Sequence, residues 1–477
     1  MHDDIFDVGP NVWRVDLTWG HVPILDSSQI DHLVSLCDSA EHVRSSSVQW
    51  AVESNVPFGV FPSYPVPHSL NYGAPLKDEE AFLFKHYVDH VALIMMPYDD
   101  QRNPWKSSYP AEALHSKSQE QRALLHAMIA QSALNLAHLG CSRQNLLMQA
   151  AKYYTLAIEE LRSCMEGSPA EYASFIAAIS TLMFVEIYSG HSATWRTHFN
   201  GAWAILKSRE ADEPWNLSEF AWASTQSLCL INILNESSIK YHEEAPLRQD
   251  QDQNLRLIHK TPSAFISSAS SFGFTIGATQ LLMSCIIDIN KLALDIQKEG
   301  NIDIIDKAVN DLYSRLEACR ESQVKGMPND ENDSSTMSKE YRISWHHLNA
   351  FIAATHIYLH RTIFDLPPSS EMIKNYVGEV FENVEKFLDA GGGNLSLWPA
   401  FIAAVEANEA QHVDAARKWL DFAVSVGMGN RFKAKIIVEK AWSLREKLAK
   451  EAGTSCGDIS VDWRDVMVNL DLDILLV

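Results

Sequence analysis

The sequence predicts an all-α protein: a large domain of antiparallel packed helices behind a Pro-rich, extended N-terminal segment. Three observations lead there. Apolar residues recur at helical spacing through most of the chain, no window alternates apolar and polar residues, and no βαβ rhythm appears. The breaks between apolar stripes are short, which implies antiparallel neighbours.

Each element follows from its stripe and its stop signal. In 78–96, Leu83, Tyr87, Val91, Ile94 and Met95 share a face, and Pro97 stops the pattern. In 120–139 the face is Leu125, Met128, Ile129, Leu136 and Leu139, ended by Gly140. The next two windows, 143–166 and 169–189, stop at Gly167 and Gly190. A fifth helix starts near Ser192–Thr194 and carries Trp195, Phe199, Trp203 and Leu206. Further windows are 216–236, 276–298, 302–322, 340–364, 370–389, 395–411, 412–427 and 431–450. Three stretches interrupt them. Residues 54–77 hold five prolines, which forbid a helix and favour an extended crossing segment. Residues 237–275 are polar and Ser-rich, and 323–339 read as a mobile loop. The expected division is an extension over 1–77 and one helical domain over 78–477.

Charge excludes several functions. The 477 residues carry 39 Lys+Arg against 61 Asp+Glu, a formal net charge of -22. Phosphate contacts supply most nucleic-acid affinity, so direct nucleic-acid contact is not expected, and anionic membranes are disfavoured too. No run of 18 apolar residues occurs; Phe175 to Tyr188 is interrupted by Ser180, Thr181 and Glu186. The opening MHDDIFDVGP lacks a basic start and an apolar run, so the expectation is an intracellular protein, nuclear or cytoplasmic, and not a secreted one. No Lys/Arg cluster marks nuclear import. The seven scattered cysteines lack CxxC spacing and read as reduced thiols, not as a zinc cluster.

Chemical motifs are few. GxSxG, Walker, HExxH and GxGxxG patterns are absent, and no cofactor or metal is expected. Gly391-Gly392-Gly393 reads as a helix stop. His356 and His360 are four apart on one helix face but have no predictable third ligand, so a zinc site is not supported. His346, His347, His356 and Arg361 on the same helix are candidates to line a ligand cavity. Glu186 lies on an apolar stripe and needs a partner, and Arg196 beyond Gly190 is the candidate for a structural ion pair.

Several blocks resemble the regulatory domain of fungal-specific transcription factors. They are HAMIAQSALNLA from His126 to Ala137, then Ala151-Lys152-Tyr153-Tyr154-Thr155-Leu156-Ala157-Ile158. Next come Glu186, Gly190 and Trp195-Arg196-Thr197-His198-Phe199-Asn200-Gly201-Ala202, then LWPAFIAAVEA from Leu397 to Ala407. Last are Gly429-Asn430, Ile437 to Trp442, Val461 to Arg464 and the terminal Asp473-Ile474-Leu475-Leu476-Val477. In order, these blocks span about residues 80–477. The resemblance implies partner contacts and response to a small effector. That family's N-terminal six-cysteine zinc cluster does not carry over, because Cys37 alone lies in the first 140 residues. Trp195, Trp398, Trp442 and Trp463 are expected core anchors, and the apolar C-terminus is expected to dock.

Three function readings follow. The first is a transcriptional regulator or co-regulator without its own zinc cluster, for a specialised-metabolism or stress pathway. Its partners are other proteins, with a homo-oligomer and a hydrophobic small-molecule effector as further expectations. The second is a repurposed helical fold acting as a cofactor-free cyclase or pericyclase on a hydrophobic small molecule. The third places the zinc cluster upstream of Met1. No residue pattern names a catalytic group.

Overall fold

The computed structural model describes residues 76–115, 117–140, 143–165, 171–190, 194–239, 266–299, 302–324 and 338–477. Most of the Pro-rich segment (54–75), the polar stretch (240–265) and the expected loop (325–337) lie outside the described residues. Among the described residues the chain is all-α, with no strand.

The helices are α1 (Asp78–His86), α2 (Ser108–His115), α3 (Gln119–His138), α4 (Arg143–Met165), α5 (Tyr172–Ser189), α6 (Thr194–Ser208), α7 (Glu219–Ser237) and α8 (Gln280–Glu299). They continue as α9 (Ile302–Val324), α10 (Lys339–Phe364), α11 (Glu371–Asp389), α12 (Leu397–Glu406), α13 (Ala410–Ser425), α14 (Gly429–Ala452) and α15 (Trp463–Asn469). Two of these, α2 and α15, were not expected from periodicity. Each spans only about two turns, too short for a stripe to repeat. The window 78–96 is also not one uniform helix: α1 passes through a π-helical turn, Tyr87–Val91, into Ala92–Ile94. A π turn shifts the phase of a stripe without changing its residue types, so periodicity does not mark it.

The described residues group into two compact units, 76–92 with 104–228, and 93–103 with 229–477. In the first unit α3 is central and packs against α1, α2, α4 and α5. Ala123, Ala127, Ala130, Ala133 and Ala137 are buried along it and let its neighbours approach closely. Ser118 caps its start by accepting from the Gln121 amide, and the Gln121 side chain accepts in return from the Ser118 amide at 3.2 Å. α5 is long and apolar enough to cross a membrane by length and composition, but 89% of it is buried within the protein, as in a core helix. Gly190, at φ 74°, ends it in the left-handed conformation that favours glycine.

In the second unit α10 is central and packs against α8, α9, α11 and α12. Trp398 is fully buried and its Nε1 donates to Ser237 Oγ at 2.9 Å. Trp442 and Trp463 are buried here, and Trp195 is buried in the first unit. Ile474, Leu475 and Leu476 are buried as well, and Asn430 Nδ2 donates to the Leu475 carbonyl at 3.0 Å. The apolar terminus therefore docks into the core.

The last turn of α12 is held by side chains from two other helices. Trp442 Nε1 donates to the Ala404 carbonyl (2.9 Å), and Arg445 donates to the carbonyls of Val405 (2.6 Å) and Ala407 (3.2 Å). The last carbonyls of a helix have few backbone donors of their own; here the Ala407 amide reaches only the Ala404 carbonyl, at 3.2 Å, and the side chains supply the rest. Glu406, in the same turn, is 3% exposed and sits between two cations: Arg361 Nε at 2.8 Å and Arg445 Nη2 at 3.7 Å. Glu406→Ala would remove the carboxylate beside the buried Arg445 guanidinium and leave Arg361 with Asp365 at the rim. The expected cost is about 3–5 kcal/mol, measured as a lower urea midpoint by circular dichroism. An unchanged midpoint would show that the two arginines find other partners.

Candidate functional site

A groove of about 740 Å³ lies between α9, α10 and α11. From α9 come Tyr313, Glu317, Ala318, Arg320 and Glu321, from α10 His356, and from α11 Tyr376 and Glu379. The His356 ring is stacked between two phenols. Tyr376 lies parallel to it at 4.4 Å between centroids and Tyr313 at 5.9 Å. Tyr313 OH is 2.9 Å from His360 Nε2, one turn along α10. Across the groove Arg320 pairs with Glu379. Burial, with Arg320 and His360 adding repulsion, lowers the His356 pKa to about 3, so its imidazole is neutral at physiological pH. Burial also lowers His360 and raises Tyr313 and Tyr376.

The four sequence candidates on α10 do not converge. Only His356 lines the groove. His346 contacts Asn383 Oδ1 at 3.0 Å on α11. His347 is fully buried, and its Nε2 donates to the Ile276 carbonyl at 2.8 Å. Its ring fills the space beside Gly277, where an added Cβ would stand 2.2 Å from His347 Cδ2. Arg361 caps the end of its own helix: Nη1 donates to Asp365 Oδ1 and the Leu366 carbonyl, both at 2.7 Å, and Nη2 to Ser460 Oγ at 2.8 Å. Helical rotation explains the dispersal. At about 100° per residue, His347 and His356 are roughly 180° apart, and Arg361 is about 140° from His356. His360, about 40° from His356, is the neighbour that shares its side. Tyr313, Arg320, Tyr376 and Glu379 carried no signal of their own, because they reach the groove only when three helices pack.

Glu186 is buried in the first unit, where it accepts a hydrogen bond from Tyr154 OH. His198 Nε2 is 2.9 Å from the same phenol oxygen and 3.9 Å from Glu186 Oε1. The phenol gives its single proton to Glu186, so His198 Nε2 donates to the phenol. Burial lowers the His198 pKa and raises that of Tyr154 well above its ordinary value. The Arg196 guanidinium lies 4.4 Å over the Trp195 ring. Tyr154, Glu186 and His198 come from sequence blocks that are separate along the chain, and the fold joins them in one buried network. Among the described residues, no three His, Cys, Asp or Glu side chains are placed to hold a metal ion.

Residues 82–477 match the family described as the fungal specific transcription factor domain, so the chain belongs to that family. This places it among transcription regulators. No curated protein and no solved structure matches the chain significantly.

Two measurements check the site. His347, at about pKa 4, and His356, at about 3, are held below the 6.5 of an unfolded histidine by burial. The unfolded chain therefore binds more protons than the folded one below pH 6.5. Their stabilising effect is present above pH 6.5 and is lost as pH falls toward 4, on the order of 3 kcal/mol for the fully buried His347. Urea midpoints against pH should fall over that window, and His347→Gln should flatten the fall. Tyr154→Phe leaves the buried Glu186 without its hydroxyl donor. It should cost about 1–3 kcal/mol in urea unfolding, with little change in helix content.

Proposed function

We propose that this chain is a transcriptional regulator or co-regulator that works in the nucleus through protein partners, in a specialised-metabolism or stress pathway. The observation that carries the reading is the family match over residues 82–477. Two further facts support the partner route. The chain carries a formal net charge of -22, which repels a phosphate backbone on average. Its first 140 residues also hold a single cysteine, too few for the six-cysteine cluster. An acidic surface is compatible with recruitment through basic or apolar faces of other proteins.

The cyclase reading has weaker support. A hydrophobic substrate requires a mostly apolar cavity. The groove instead presents Glu317, Glu321, Glu379 and Arg320 beside its two phenols.

Deletion of the gene should lower a defined set of transcripts, and chromatin immunoprecipitation should recover the chain at their promoters. The purified chain alone should leave those promoter fragments unshifted at physiological salt, and the shift should appear when a partner is added. Unchanged transcripts together with a purely cytoplasmic location would overturn the reading.

A further inference from the structure

We propose that Cys285 of α8 and Cys319 of α9 form a redox modification site, at which a hydroperoxide oxidises the two facing thiols to a disulfide that staples the helices together. This site goes beyond the regulatory role and does not depend on it.

The fold brings the pair together from the start of one helix and the end of the next. Both cysteines are free thiols, and both are buried, at 0% and 1% exposure. Their side chains are hydrogen-bonded to each other. The helix register agrees with that contact. Arg315, one turn before Cys319, pairs with Asp288 at 2.7 Å, and Asp288 lies about one turn after Cys285. The same guanidinium donates to Oγ of Ser284, the neighbour of Cys285, at 3.5 Å. Antiparallel helices in this register set Cys285 opposite Cys319 where α8 packs on α9. Thiols in direct contact are the starting geometry for a disulfide, whose Cβ atoms stand about 4 Å apart.

The surroundings make the two sulfurs unequal. Cys319 is held below the ordinary thiol value by the Cys285 thiol that donates to it, with help from the Thr279 hydroxyl and the Arg315 guanidinium. Thr279 Oγ1 accepts from the Leu282 amide at 3.3 Å, which leaves its own proton for the Cys319 sulfur. Donating to Cys319, followed by burial, raises Cys285. The buried Cys164 and Cys229 differ: burial pushes both up to about 12. Thr279, Ser284 and Arg315 are only half-buried, so the pair lies one side chain beneath the surface, open to a small oxidant through local opening.

The chemistry balances in two steps. The Cys319 thiolate attacks the peroxide O–O bond, forms a sulfenic acid and releases hydroxide, which takes up the proton Cys319 lost. The Cys285 sulfur then attacks the Cys319 sulfur. Its proton leaves with the S–OH oxygen as water, and the S–S bond forms. Two thiols are oxidised and one peroxide is reduced to two waters.

The test treats the reduced full chain with hydrogen peroxide in native buffer, alkylates the remaining thiols after unfolding, and maps peptides by mass spectrometry. The expected product joins the Cys285 and Cys319 peptides, is about 2 Da lighter than the two reduced peptides, and is lost on treatment with dithiothreitol. It should form at least about tenfold faster than any pairing of Cys164 or Cys229. Exposed Cys456 reports that the oxidant dose is sufficient. The oxidised chain should show a higher urea midpoint than the reduced chain, and Cys285→Ser should abolish that rise. Cys285→Ser should also trap Cys319 as a sulfenic acid that dimedone labels, whereas Cys319→Ser should leave Cys285 unlabelled. Absence of the joined peptide while Cys456 is oxidised overturns the proposal. So does a joined peptide that forms as fast in the urea-unfolded chain, which would mark chance pairing. Dimedone labelling of Cys285 in the Cys319→Ser chain overturns the role of Cys319 as the attacking sulfur.

Discussion

The second unit depends on one buried carboxylate. Glu406 stands between Arg361 of α10 and Arg445 of α14, at the end of the ten-residue helix α12. A buried ion set of this kind contributes little net stability over an apolar replacement, but removing one member is costly. Its effect is on geometry. Arg445 also serves the carbonyls at the end of α12, and Arg361 also caps the end of α10. Three helix positions are thus tied to one carboxyl group, and the helix that walls the groove is one of them.

Burial governs the histidines in the same unit. His347 and His356 are both held neutral, yet they serve different ends. His347 clamps the turn at Ile276 through one hydrogen bond, which is why its ring occupies the space beside Gly277. His356 makes no such bond at Nδ1 and instead stacks between Tyr313 and Tyr376. The first is a packed structural group. The second is held by its ring contacts with two phenols. In the first unit, Tyr154, Glu186 and His198 form a buried hydrogen-bonded cluster that ties α4, α5 and α6 together.

The sequence by itself determined the helical class, most helix positions and the exclusion of the common catalytic motifs. Those properties are local: a stripe at 3.6-residue spacing and a glycine or proline stop are written in neighbouring residues. It also marked the tryptophan anchors and the buried C-terminus, since a large apolar side chain has one favourable destination. Its errors were local too. The two short helices α2 and α15 contain too few turns for periodicity, and the π turn after α1 changes phase without changing composition.

The tertiary structure alone decided the sites. Four residues on α10 seemed to share a cavity because they share a helix, but rotation by about 100° per residue sends them to different neighbours. The groove takes its residues from α9, α10 and α11, which are separated along the chain and meet only by packing. Glu186 likewise meets a phenol from α4 and an imidazole from α6. A site formed by several helices depends on their relative rotation and depth. Those are set by the sum of core contacts, and no single segment carries them.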